Sequence, residues 1–87
     1  MARILPVGVK ASLATGSGQA TTVGNATVVR IVATAGNAVV FRTDSDDAVI
    51  GSFTQLNNTV EYVEKQQKDK IYVTGSAVEI SAVGYTN

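Results

Sequence analysis

Eighty-seven residues with seven basic and seven acidic side chains, no cysteine and no histidine, make a chain of single-domain length. Disulfides are excluded, and a structural zinc site would lack its usual thiolate and imidazole ligands. Zero net charge with 16% charged residues argues against a nucleic-acid partner, because phosphate backbones require a clustered positive face.

In chain order, residues 1–9 carry Ile4, Leu5, Val7 and Val9 around Pro6. Proline cannot donate to a ladder, which confines this segment to an edge strand or an arm. Two readings stay open: a first strand buried within its own domain, or an arm added to a neighbouring subunit's sheet edge. Residues 7–14 are expected to form a strand and residues 15–22 a Gly/Ser/Thr loop.

Residues 27–35 and 38–43 are both strand-like, separated by Gly36-Asn37, a pair that supports a two-residue hairpin turn. That hairpin would pair Val32 with Phe41, Thr34 with Val39 and Arg30 with Thr43. One face then holds Val28, Val32, Val39 and Phe41, and the other holds Val29, Ile31, Ala33 and Val40. Both faces are largely apolar, which places the hairpin centrally or beneath a partner. Strands are expected next at residues 48–54, with Ile50 and Phe53 as core contacts, and at 59–65. A polar loop at 66–69 precedes strands at 71–74 and 78–85. In the last strand Val78, Ile80 and Ala82 share a face.

Short strands rich in Val, Ile, Thr, Tyr and Phe, with turn residues between them, define an all-β chain. The expected architecture is an antiparallel β-sandwich, or a small jelly roll or barrel, of seven to eight strands. Residues 1–87 read as one β-sandwich domain, with 1–9 as an arm or edge strand. The apolar run at 28–32 is broken by Arg30 and is too short to cross a bilayer. Residues 1–4 lack the apolar run of a signal peptide. No membrane partner is therefore expected, and the Asn-x-Thr sequences at Asn25 and Asn57 read as turn chemistry.

Catalysis is not expected, since the commonest general base and the strongest nucleophile are both missing. Asp44-Ser45-Asp46-Asp47 begins like a calcium loop, but Ala48, Val49 and Gln55 stand where that pattern needs a ligand, a glycine and a bidentate glutamate. An acidic turn is the better reading. Gly16-Ser17-Gly18-Gln19-Ala20-Thr21-Thr22 lacks the Gly-Lys-Ser/Thr ending of a phosphate loop and reads as a flexible surface loop. Phe41, Phe53, Tyr62, Tyr72 and Tyr85 are the only aromatics and are assigned to core and interface packing. No cofactor is expected. A sparsely charged surface suits a protein whose faces end up covered, and association is the remaining route to stability for so small a domain.

Several runs carry a family resemblance: residues 28–38, Ile50-Gly51-Ser52-Phe53, Tyr62-Val63-Glu64-Lys65, residues 69–75, Ala82-Val83-Gly84-Tyr85-Thr86-Asn87 and the opening Ala2-Arg3-Ile4-Leu5-Pro6-Val7-Gly8. Together they resemble small structural proteins of tailed bacteriophages, especially cyanophages. The resemblance implies a virion component, made in the host cytoplasm and placed on the capsid surface. Compact β-sandwiches of that kind act as decoration, or cement, proteins that clasp the major capsid protein, commonly as trimers. The partners expected are thus the major capsid protein or other virion proteins, together with further copies of the chain in a homo-oligomer, a trimer favoured. The alternatives are a tail, neck or fibre-adaptor protein, and, from another class, a carbohydrate-binding module using Tyr62 or Tyr72. The interface is expected at the arm (Arg3, Ile4, Leu5, Val7 and Val9) and at an outward hairpin face bearing Val29, Ile31 and Val40.

Overall fold

The computed structural model describes residues 3–86, and the side chains of residues 5–84. Eight strands are present among the described residues: β1 (Arg3–Pro6), β2 (Ala11–Leu13), β3 (Val28–Ala33), β4 (Ala38–Thr43), β5 (Val49–Gln55), β6 (Thr59–Glu64), β7 (Lys70–Thr74) and β8 (Val78–Thr86). All pair antiparallel in two sheets. The larger has the order β1-β8-β3-β6, with β2 also on β8, and the smaller has the order β5-β4-β7. The chain is therefore a β-sandwich of unequal layers and not a closed barrel.

β1 and β2 share one neighbour. β1 pairs with the C-terminal half of β8, from Arg3 opposite Thr86 to Pro6 opposite Val83. β2 pairs with its N-terminal half, from Ala11 opposite Ile80 to Leu13 opposite Val78. Pro6 thus sits on an edge strand, where its missing N–H leaves no gap in a ladder.

The expected hairpin does not form. β3 pairs with β6 and β8, while β4 pairs with β5 and β7. Gly36-Asn37 instead carries the chain from one sheet to the other, with Gly36 at φ 142° and the Asn37 carboxamide oxygen accepting from Asn57 N–H at 2.8 Å. The physical reason lies in the two faces. In a flat hairpin Val29, Ile31, Ala33 and Val40 would share one side and need a separate cover. Crossing the sandwich lets β3 and β4 cover each other.

The core follows from that arrangement. Val29 and Ile31 are 0% exposed and Val40 is 1% exposed, packed with Leu13, Ala33, Ala38, Ile71, Val73, Val78 and Ile80. Residues opposite each other in an antiparallel pair share a face, so Ile31 and Ile80 point inward together, as do Val29 and Ala82. Buried Gln55 ties the sheets: its amide nitrogen donates to the Ile31 carbonyl at 2.9 Å and to the Thr59 carbonyl at 3.1 Å. Ile50 and Phe53, expected in the core, lie on the exposed edge strand β5 and remain substantially accessible.

Two loops are better ordered by hydrogen bonds than their composition suggests. Residues 15–22 contain a 3-10 turn (Ser17–Gln19) and cover the outer edge of β7. Gly16 N–H donates to the Val73 carbonyl at 2.8 Å, and Thr21 exchanges two bonds with Ile71 at 2.8 and 3.0 Å. The acidic segment is a turn: one Asp44 carboxylate oxygen accepts from Asp46 and Ala48 N–H at 2.9 and 3.0 Å. Asp47 there adopts φ 66°, a conformation aspartate tolerates.

Candidate interaction surface

The larger sheet outreaches the smaller, and the overhang is the most distinctive surface of the molecule. Ile80, Ala82 and Gly84 alternate along the inward face of β8, and Leu5, opposite Gly84, belongs to that face as well. Ile80 is buried in the core, whereas Ala82 and Gly84 further along the strand are only partly covered. The result is a groove of about 760 Å³ between the arm and loop 21–27, lined chiefly by Val7, Val9, Leu13, Val23, Ile80 and Ala82.

Backbone pairing holds the arm while its apolar side chains stay accessible. The register of β1 on β8 continues with Val7 N–H donating to the Ala82 carbonyl at 3.1 Å. Gly8 then lets the chain pass close to β8, since a Cβ there would stand 3.2 Å from the Ala82 Cβ. Leu5 is 48% exposed, Val7 58% and Val9 92%. An exposed run of large apolar residues beside a groove is the surface feature that marks a binding face. An ion pair beside the arm, Lys10 with Glu79 at 3.5 Å, is exposed and contributes little.

The opposite wall is strained. Val23, Gly24 and Asn25 all have positive φ, and Val23 at 54° is a β-branched residue in a conformation that such residues rarely adopt. Local bonds hold the turn: Thr21 Oγ1 accepts from Val23 N–H at 3.0 Å, and the Val23 carbonyl accepts from Ala26 N–H at 3.3 Å. Strain of this kind concentrates at functional surfaces.

The structure divides the expected interface residues. Val7 and Val9 line the groove, and Leu5 precedes them on the same arm, opposite Gly84 of the lining. The backbone of Arg3 and Ile4 lies in β1, and their side chains fall outside the described set. Val29, Ile31 and Val40 are core residues rather than an outward face, because the crossing at Gly36-Asn37 turns them toward the opposite sheet. Nothing in the sequence singles out Val23. A lone valine between threonine and glycine has no periodicity to reveal it, and only its position on the groove wall singles it out.

A polar cluster occupies one end of the sandwich. Asp69, nearly buried, accepts from an Arg42 guanidinium nitrogen at 3.0 Å and from Gln66 N–H at 3.0 Å. Buried Lys65 directs its ammonium to the carbonyls of Gln66 and Gln67 at 3.2 and 3.3 Å. Desolvation lowers the Lys65 pKa below the ordinary lysine value, and the negative charge of Asp69 partly opposes that shift. These contacts are internal to the domain and close off the 66–69 loop.

Among the described side chains the aromatics do not assemble into one platform. Phe41 and Tyr72 are opposite each other on the outer face of the smaller sheet, stacked with centroids 4.7 Å apart and planes 9° apart. Tyr62 is opposite Arg30 on the outer face of the larger sheet. Tyr62 and Tyr72 therefore lie on opposite sides of the molecule. Comparison with family models, with curated proteins and with solved structures finds no match to this chain.

Proposed function

We propose that this chain is a structural protein of a phage virion, a capsid decoration protein that stabilises the head by bridging major capsid subunits, and that it is not an enzyme. One observation carries the binding half of that reading: the overhang of the larger sheet, where Leu5, Val7 and Val9 stand exposed beside an apolar groove. The virion half rests on the resemblance of the sequence to small phage structural proteins.

The chemistry of the surface suits a protein partner. Its floor is small and apolar at Ala82 and Gly84, leaving room for an inserted side chain or an extended segment. Each Leu or Val fully buried there would contribute roughly 1.5–3 kcal/mol before the entropy of association is subtracted. A modest interface of this kind becomes effective when it is repeated over a capsid lattice, because linked sites act together.

The test is quantitative protein composition of purified particles of the encoding phage. Decoration requires a copy number that scales with the major capsid protein. A copy number of a dozen or fewer would assign the chain to the tail or neck, and absence from the particle would end the virion reading.

A further inference from the structure

We propose that β5 is the edge through which two copies of this chain join, pairing antiparallel with β5 of a second copy about a two-fold axis near Phe53. This surface is separate from the groove and leaves it free for another partner.

The inference begins with the strand edges. An open edge presents unpaired N–H and C=O groups, a template for another extended chain, and proteins blunt such edges with charge, proline, short strands or a covering loop. Three of the four exposed borders carry one of these devices. β6 has Glu61 and Glu64, the β1–β2 border has Arg3, Pro6 and Lys10, and β7 is covered by Gly16 and Thr21. Among the described residues β5 pairs only with β4, and its sequence Val49-Ile50-Gly51-Ser52-Phe53-Thr54-Gln55 has neither charge nor proline. Its single irregularity is confined to one end: the register shifts between Arg42 and Thr43, which leaves Ile50 out of the pairing. Residues 51–55 are regular.

That regular stretch is complementary to itself. A two-fold axis at Phe53 sets Gly51 opposite Gln55, Ser52 opposite Thr54, and Phe53 opposite its own copy. No like charges meet, whereas self-pairing of β6 would bring its two glutamates into the contact. Phe53 is 37% exposed at the mouth of an apolar crevice of about 170 Å³ between the sheets, lined with it by Val40, Val63 and Ile71. The sandwich is therefore unsealed on this side, and the second copy's Phe53 is the group that would seal it. Aromatic pairs across strands add to the ladder hydrogen bonds. The joined sheets would form one six-stranded layer.

A two-fold pairing gives a dimer, where the family resemblance implies a trimer, and mass separates them. Light scattering on a sizing column should return twice the chain mass for the intact protein. Phe53→Lys and Phe53→Glu should each return the monomer mass with a native circular dichroism spectrum, since like charges would meet at the axis. An equimolar mixture of the two variants should recover the dimer. A discrete trimer, a monomer at high protein concentration, or folded single variants that stay dimeric would overturn the proposal. Because the chain has no cysteine, Phe53→Cys supplies a second readout. Mild oxidation should link it into a disulfide dimer while Glu61→Cys on β6 stays monomeric, and equal linking of both variants would count against the β5 axis.

Discussion

Ile31 on β3 and Val9 beyond β1 are both aliphatic residues in an extended chain, yet one is 0% and the other 92% exposed. What separates them is the number of layers. β3 lies at the middle of the larger sheet with the smaller sheet across from it, whereas the arm lies on an overhang that three strands are too few to cover. The same contrast holds within the smaller sheet, where Val40 is buried and Phe53, directly opposite it, is partly open. Burial in this protein is decided by position in the sandwich, and the apolar residues left outside it stay accessible at its surface.

Truncation should separate the two regions most sharply. Ile31→Ala would leave a cavity in a fully packed site and should destabilise the domain by about 2–5 kcal/mol in chemical denaturation. Val9→Ala should change stability by less than about 0.5 kcal/mol in the same measurement. Comparable losses at the two sites would mean that the arm is part of the core.

A smaller effect is expected where the sheets are tied by polar atoms. Gln55→Leu removes the donor to the buried Ile31 carbonyl and to the partly buried Thr59 carbonyl, and the expected loss is about 1–3 kcal/mol, the usual cost of stranding a buried acceptor. A neutral result would mean that packing alone keeps β5 aligned with β3 and β6.

The pH dependence sharpens the comparison from the charged end. With the folded pKa of Lys65 lowered, the unfolded chain binds more protons between that value and the ordinary lysine pKa near 10.5. Stability contributed by this group therefore rises with pH through that window, and the penalty is full below it. Denaturation midpoints for intact protein and Lys65→Met, followed from neutral pH to pH 11, should diverge most at neutral pH and draw together as the pH rises past 10.5. A difference that stays constant with pH would assign the effect to packing of the lysine stem.

Much of the fold was legible because β-branched runs and turn residues alternate so regularly. The strand at residues 38–43 has the bounds expected, and the Val78, Ile80 and Ala82 face of β8 points inward as its alternation requires. Partnership between strands was not legible. Gly36-Asn37 suits a tight hairpin and a crossing between sheets equally well, and the choice depends on strands far away in the chain. That single ambiguity reversed the reading of Val29, Ile31 and Val40, since both faces of β3 are apolar and only the layer opposite decides which is core. Ile50 and Phe53 failed for a related reason: an edge strand and a central one can share the same composition. The arm was read more directly, because Pro6 limits β1 to an edge whatever else the chain does.

Cosedimentation with purified capsids tests the groove most directly. The double variant Leu5→Asp, Val7→Asp replaces two exposed side chains and should keep the denaturation midpoint of the intact protein while losing capsid binding. Full binding by that folded variant would contradict the account and remove the overhang from the interface.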